Sequence, residues 1–189
     1  TWGADTTADA ALSWWLGYAR FQQKDYEKAE QAFGAAVAKA PTFFNSWWYM
    51  ALARYYRQDY PGAVAAIRTH WEANPEDLVA SVAERTQVCV PIVAYLVGWC
   101  AREEKPVDAG VLCEVLANVE PEKSDHWNNA GLFWRDAGER LVKENANPED
   151  KELAHAYFEK AYAYYARALE MEPENPGFLN DTAVMLHYN

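Results

Sequence analysis

The chain has 189 residues, a formal net charge of −11, and about half of its residues apolar. No uninterrupted apolar run reaches the roughly 18 residues of a membrane-spanning helix, so the sequence reads as a soluble protein with no direct membrane insertion. Residues 1–75 carry seven acidic and seven basic side chains, and residues 76–189 carry 21 and ten, so the second part holds all the excess charge. That field repels phosphate backbones and argues against a nucleic-acid partner. It serves as a solubilising surface or steers a basic partner.

Cys89, Cys100 and Cys113 are odd in number and include no C-x-x-C pair, which points to buried free thiols rather than a disulfide framework or a zinc site. No basic stretch followed by an apolar one opens the chain, so no secretory signal is visible and a cytoplasmic address is favoured. The first residue is Thr1, not Met, and Asn189 falls inside a helix-like pattern, so the sequence is expected to be a piece of a longer chain.

Shifting the sequence by 34 residues lays Trp14 on Trp48, Asp25-Tyr26 on Asp59-Tyr60, Ala29 on Ala63 and Pro41 on Pro75. A period of this size marks stacked supersecondary units. In the first, a helix is expected from about Ala8 to Gln23, followed by a second capped by Asp25 and ended by Pro41. The next repeats the plan, with Asp59 as cap and Pro61 in the first turn. A weaker third follows around Leu96, Ala109, Cys113 and Pro121. From Pro75 to Pro121 is 46 residues, so 12 are added, ahead of its first helix.

A fourth contains Trp127, Ala130-Gly131, Trp134, Ala161, Tyr165 and Pro173. It is 52 residues long, with 18 added between its helices near Glu139 to Leu153. Asn147-Pro148 reads as the start of a helix that, unbroken to Met171, spans about 36 Å. A partial fifth begins at Phe178, and Val184, Met185, Leu186 and Tyr188 make its face apolar.

Within each unit, small residues (Gly17, Ala29; Ala51, Ala63; Gly131, Ala161) recur where two helices cross, with large residues between them to fill the gaps. With Leu16-Gly17, Trp47, Met50-Ala51, Phe33, Ile67 and the recurring prolines, this pattern resembles the tetratricopeptide repeat family. The resemblance implies an all-α fold, a right-handed solenoid of stacked antiparallel helix hairpins. The sequence divides into repeats at about 8–41, 42–75, 76–121, 122–173 and a partial 176–189, forming a single domain over 1–189.

In that family the first helix of each repeat lines a concave groove that binds peptides. The corresponding positions share one helix face: Trp14, Tyr18 and Phe21; Trp48, Leu52 and Tyr55; Asn128, Leu132 and Arg135; Asn180, Val184 and His187. The third repeat offers either Ala94, Gly98 and Ala101 or, one residue later, Tyr95, Trp99 and Arg102. The aromatics serve either as core between neighbouring helices or as a trough for apolar or Pro-containing segments. The family's clamp for a terminal carboxylate needs Lys and Asn where this chain has Trp14 and Tyr18, which argues against that specific function.

No catalytic motif is present: there is no Gly-rich phosphate loop, no G-x-S-x-G and no H-E-x-x-H. Glu152-x-x-His155 is half of a di-iron signature whose other half is missing, so it reads as a solvated helix face. His70 is expected to be packed at a helix crossing. The sequence thus points to a non-catalytic scaffold or adaptor with a protein or peptide partner, and with no cofactor and no metal. The alternatives are a structural subunit docked permanently in a larger assembly and a regulatory or helper domain of a larger protein.

Overall fold

The computed structural model describes residues 6–43, 45–142 and 147–188, with the side chains of Thr6, Thr7 and His187 outside the description. Among the described residues there are helices and no strands, so the fold is all-α. In chain order they are α1 (Thr6–Gln22), α2 (Tyr26–Lys39), α3 (Asn45–Tyr56), α4 (Tyr60–Ala73), α5 (Pro75–Ala83), α6 (Thr86–Arg102), α7 (Pro106–Val119), α8 (Ser124–Leu141), α9 (Pro148–Met171) and α10 (Pro176–Val184), followed by a 3₁₀ turn, Met185–His187. They form two compact units, Thr1–Ile92 and Val93–Asn189.

Local chemistry starts and stops these helices. Asp25 accepts from the Lys28 N–H at 3.4 Å and Asp59 from the Gly62 N–H at 3.0 Å, which satisfies amides that the first helical turn leaves open. Asn147 does the same for Asp150 at 2.8 Å, and the 24-residue α9 runs from Pro148 to Met171 as its sequence predicts. Three hairpin turns share one geometry. Lys24, Gln58 and Glu104 adopt φ of 61°, 64° and 55°. The next amides (Asp25, Asp59, Lys105) donate back to Arg20, Arg54 and Cys100. One left-handed residue after each helix therefore reverses the chain within three residues.

In the N-terminal unit α1 packs on α2, α2 on α3 and α3 on α4. The aromatic ring of Phe33 lies directly over Gly17. A Cβ added at Gly17 would stand 2.7 Å from two atoms of that ring, and Phe33 is fully buried. Only glycine lets α1 approach so closely. The stretch added ahead of the third repeat folds as α5, which starts at Pro75 immediately after α4. Asn74 ends α4 and also caps α5, accepting from Asp77 at 3.1 Å. Pro75 is thus the first residue of a new helix as well as the stop for the old one. Helix α5 buries Leu78 and Val82 and is tied to α3 by Ser81 Oγ donating to Asn45 Oδ1 at 3.0 Å. His70 is fully buried, with Nε2 at 2.8 Å from Asp77 Oδ2, and burial lowers its pKa. It links α4 to α5, as a packed histidine should.

In the C-terminal unit α7 packs on α8, α8 on α9, and α9 on α10. Rings again sit on glycines: Trp134 over Gly110, Tyr165 over Gly131 and Phe158 over Gly138. The residues added between the helices of this repeat lengthen both partners, giving α8 18 residues and α9 24. Positions 143–146 of that stretch lie outside the described residues. Trp127 Nε1 donates to the Pro121 carbonyl at 3.0 Å, and Trp47 Nε1 to that of Pro41 at 3.4 Å. The same six-residue reach therefore pins the entry to two different repeats.

Two glycines of the first hairpin make opposite predictions. Gly17→Val pushes branched carbon into an immobile ring and should cost about 1–3 kcal/mol. A Cβ at Gly34, within α2, meets nothing within 4 Å, so Gly34→Ala should gain about 0.5–1 kcal/mol from helix propensity. Urea unfolding monitored by circular dichroism checks both signs.

Candidate functional site

The aromatic positions of the N-terminal unit form a continuous seam. Trp14 and Tyr18 stack along α1 with centroids 5.3 Å apart. Tyr49 of α3 meets Trp14, Tyr18 and Phe21 edge-on at 5.5–5.7 Å and stacks on Phe33 at 5.6 Å. Phe21 continues the seam to Tyr26 and Tyr56, which stack on each other at 4.9 Å. Tyr55 closes on Tyr56 and Tyr60. Edge-to-face contacts of this kind fix the rings without burying all of them.

Beside the seam lies a cavity of about 270 Å³. Phe21, Gln22 and Lys24 form one wall at the end of α1, with Tyr26 behind them. Trp48, Tyr49, Leu52 and Tyr56 of α3 form the second. Ser81 of α5 and Glu84, Arg85, Val88 and Cys89 at the α5–α6 junction form the third. The inserted segment therefore supplies a whole side of the cavity.

The residues singled out by sequence divide by burial. Trp14, Tyr18, Phe21 and Tyr55 are half-buried. Trp48 and Leu52 are 3% and 7% exposed, so they form floor and core. Truncating Trp48 would cost about 3–5 kcal/mol of stability, too much for a clean test of binding. Tyr49 and Tyr56, one residue beyond Trp48 and Tyr55, also belong to the seam although they lie outside the repeat positions. The later of the two third-repeat registers (Tyr95, Trp99, Arg102) is the one that matches them.

In the C-terminal unit Asn128 of α8 donates to Asp181 of α10 at 3.2 Å, and Arg135 pairs with Asp136 and Glu139 at 3.1 and 3.5 Å. The fully buried Tyr165 hydroxyl senses the charges of both Arg135 and Asp181. Asn128 Oδ1 and Tyr165 Oη have no hydrogen-bond partner among the described residues. Asn180 is exposed, and the His187 side chain lies outside the described residues. In the third repeat Arg102 lies over Tyr95 at 6.0 Å, while Lys105 lies over Trp99 at 5.2 Å.

A polar group outside the repeat pattern sits between α7, α8 and α9. Glu114, 1% exposed, accepts from Trp134 Nε1 at 2.7 Å and pairs with Lys160. Lys160 also rests over the Trp134 ring at 3.9 Å. The buried carboxylate is thus paired and hydrogen-bonded from two helices, the condition under which an ion is tolerated inside a fold. Glu152 and His155 face solvent on α9, where His155 approaches Glu159 at 3.7 Å. Among the described residues no three His, Cys, Asp or Glu side chains are grouped to hold a metal ion, and no helix is long and apolar enough to cross a membrane.

Burial raises the pKa of the Tyr49, Tyr56, Tyr164 and Tyr165 hydroxyls, and the Cys100 thiol is pushed up to about 12 by burial and by the Asp108 charge. These groups hold their protons in the folded chain after the unfolded chain has lost them. Stability should therefore hold up to about pH 8.5 and fall progressively above it, more steeply past about pH 10. Unfolding midpoints taken alongside tyrosinate absorbance test this; full ionisation of the native protein near pH 10 with an unchanged midpoint would contradict it.

No protein-family model matches the chain, and no curated protein matches it. Among solved structures it is similar to one described as a TPR repeats protein from Bacteroides fragilis, at 16% identity and a TM-score of 0.49, covering 95% of this chain and 83% of that one. It is also similar to a thermophilic TPR protein in Thermus thermophilus, at 18% identity and a TM-score of 0.43, covering 94% and 99%. The chain's own turns, caps and rings on glycines are those of closely packed helix hairpins.

Proposed function

We propose that the chain is a non-catalytic scaffold or adaptor module that holds a peptide or protein segment of a partner. In the N-terminal unit the contact residues are Trp14, Tyr18, Phe21 and Tyr55, with Trp48 and Leu52 beneath them. In the C-terminal unit they are Asn128, Arg135, Asn180 and His187. The observation that carries this reading is the seam of part-open rings beside a preformed cavity. Large rigid rings provide contact area with few torsions to freeze, and helices already ordered leave only the ligand to lose freedom. Trp14 Nε1 is buried without a hydrogen-bond partner among the described residues, so what this residue offers a ligand is the face of its ring.

A second reading, a subunit docked permanently in an assembly, is favoured by one stripe of α1. Leu12, Trp15 and Leu16 are 69%, 61% and 54% exposed and share a face. Crosslinking mass spectrometry separates the two readings: crosslinks from α1 to one fixed set of subunits support the assembly, and crosslinks at the seam to varied segments support the adaptor.

The adaptor reading is tested by panning a random-peptide display library on the intact chain and titrating the enriched peptides by tryptophan fluorescence. Tyr18→Ala with Tyr56→Ala removes two part-open rings and should weaken binding about tenfold or more, with the helical circular-dichroism signal intact. Peptides bound equally by the double variant, or panning that enriches no sequence, would contradict the proposal.

A further inference from the structure

We infer that the cavity of the N-terminal unit is a specificity pocket for an apolar side chain that stands next to a carboxylate in the bound segment, with Arg85 and Lys24 receiving the carboxylate. This rests on the peptide-binding reading above and names what that site selects.

Size is the first ground. About 270 Å³ falls just below the 300–1,000 Å³ of ordinary small-molecule pockets, and it suits one large side chain inserted from a longer segment. The aromatic and aliphatic walls from α1 and α3 make such an anchor favourable, since a desolvated side chain in a preformed pocket is the usual hot spot of an interface.

Charge is the second. In this unit Lys28 pairs with Asp25, both Arg54 and Arg57 with Glu30, and Arg68 with Glu72, while Lys39 donates to Ser13. Arg20, Lys24 and Arg85 have no ion pair among the described residues, and two of those three line the cavity. Arg85 carries its charge within range of the Tyr49 and Tyr56 hydroxyls and the Cys89 thiol, so its guanidinium bears on the cavity. Glu84 lines the same wall and acts on Tyr49 with the opposite sign. The rim therefore carries two cations against one anion. It favours a carboxylate and leaves Glu84 as the residue that weakens the preference.

The third ground is where these charges come from. Glu84 and Arg85 lie at the α5–α6 junction, ahead of the third repeat's first helix, where that repeat exceeds the 34-residue period by 12. The insertion thus adds both the closing wall and the selecting charge to a seam that the first two repeats already provide.

The test uses two N-acetylated, C-amidated hexapeptides containing Asp-Phe and Asp-Leu, each beside its Asn counterpart, titrated calorimetrically into the intact chain. Blocked ends leave the Asp side chain as the only carboxylate. The Asp peptides should bind about two- to fivefold tighter than the Asn peptides at low ionic strength, and the margin should shrink as salt is raised. Arg85→Gln should abolish the margin and Glu84→Gln should widen it. Both side chains are exposed, so neither change threatens the fold. Equal affinity for Asp and Asn peptides, or a margin that survives Arg85→Gln combined with Lys24→Gln, overturns the carboxylate selection and leaves the peptide-binding reading standing. Failure of all four peptides to bind overturns the pocket itself, while the library panning judges the broader reading separately.

Discussion

A ring lying on a glycine sets how closely two neighbouring helices can approach, within a repeat or between repeats, and the packing of this structure follows from that distance. Phe33 on Gly17, Trp134 on Gly110, Tyr165 on Gly131 and Phe158 on Gly138 are four instances of one contact. Each ring is almost wholly buried, so it cannot swing aside for a larger residue. The helices are thereby drawn close enough for dispersion contacts along their length, and each hairpin becomes a rigid strip. Phe33 also stacks on Tyr49, the ring at the centre of the aromatic seam. One crossing contact therefore holds the first hairpin together and anchors the aromatic seam.

Polar chemistry fixes register where the apolar contacts alone would allow sliding. Glu30 bridges α2 to Arg54 and Arg57 at the α3 end, and Arg54 also donates to the Gly62 carbonyl at 3.0 Å. Deeper in the other unit, Glu114 gathers Trp134 and Lys160 from two further helices. An unpaired carboxylate at that depth would be strongly destabilising, so the arrangement is satisfied in one relative position of the three helices. These contacts complete a division of labour in which glycines set the spacing and charges set the register.

Much of the fold was legible because its signals are local. Asp25, Asp59 and Asn147 reach an amide three residues away, and Pro148 sits where a helix can start. The small residues at crossings were legible because they recur with the repeat. What could not be read depends on contacts distant in sequence. Glu114 meets Trp134 20 residues on and looks like a surface residue in isolation. Trp48 and Leu52 read as open groove positions because the repeat pattern does not contain α5, which packs on α3 and stands on the other side of the cavity. Tyr49 lies outside the repeat pattern for a geometric reason: one residue turns a helix by about 100°, so the neighbour of Trp48 faces α1 rather than α5.

The dependence of the fold on ring-on-glycine spacing is most directly tested by a double-mutant cycle on Gly131 and Tyr165, read by urea unfolding. If the ring fixes the approach of α8 and α9, Gly131→Val is costly alone and much less so once Tyr165→Ala has removed the ring, giving a coupling of about 1–3 kcal/mol. Costs that add to within about 0.5 kcal/mol would show that the ring does not set the spacing and would contradict this account of the fold.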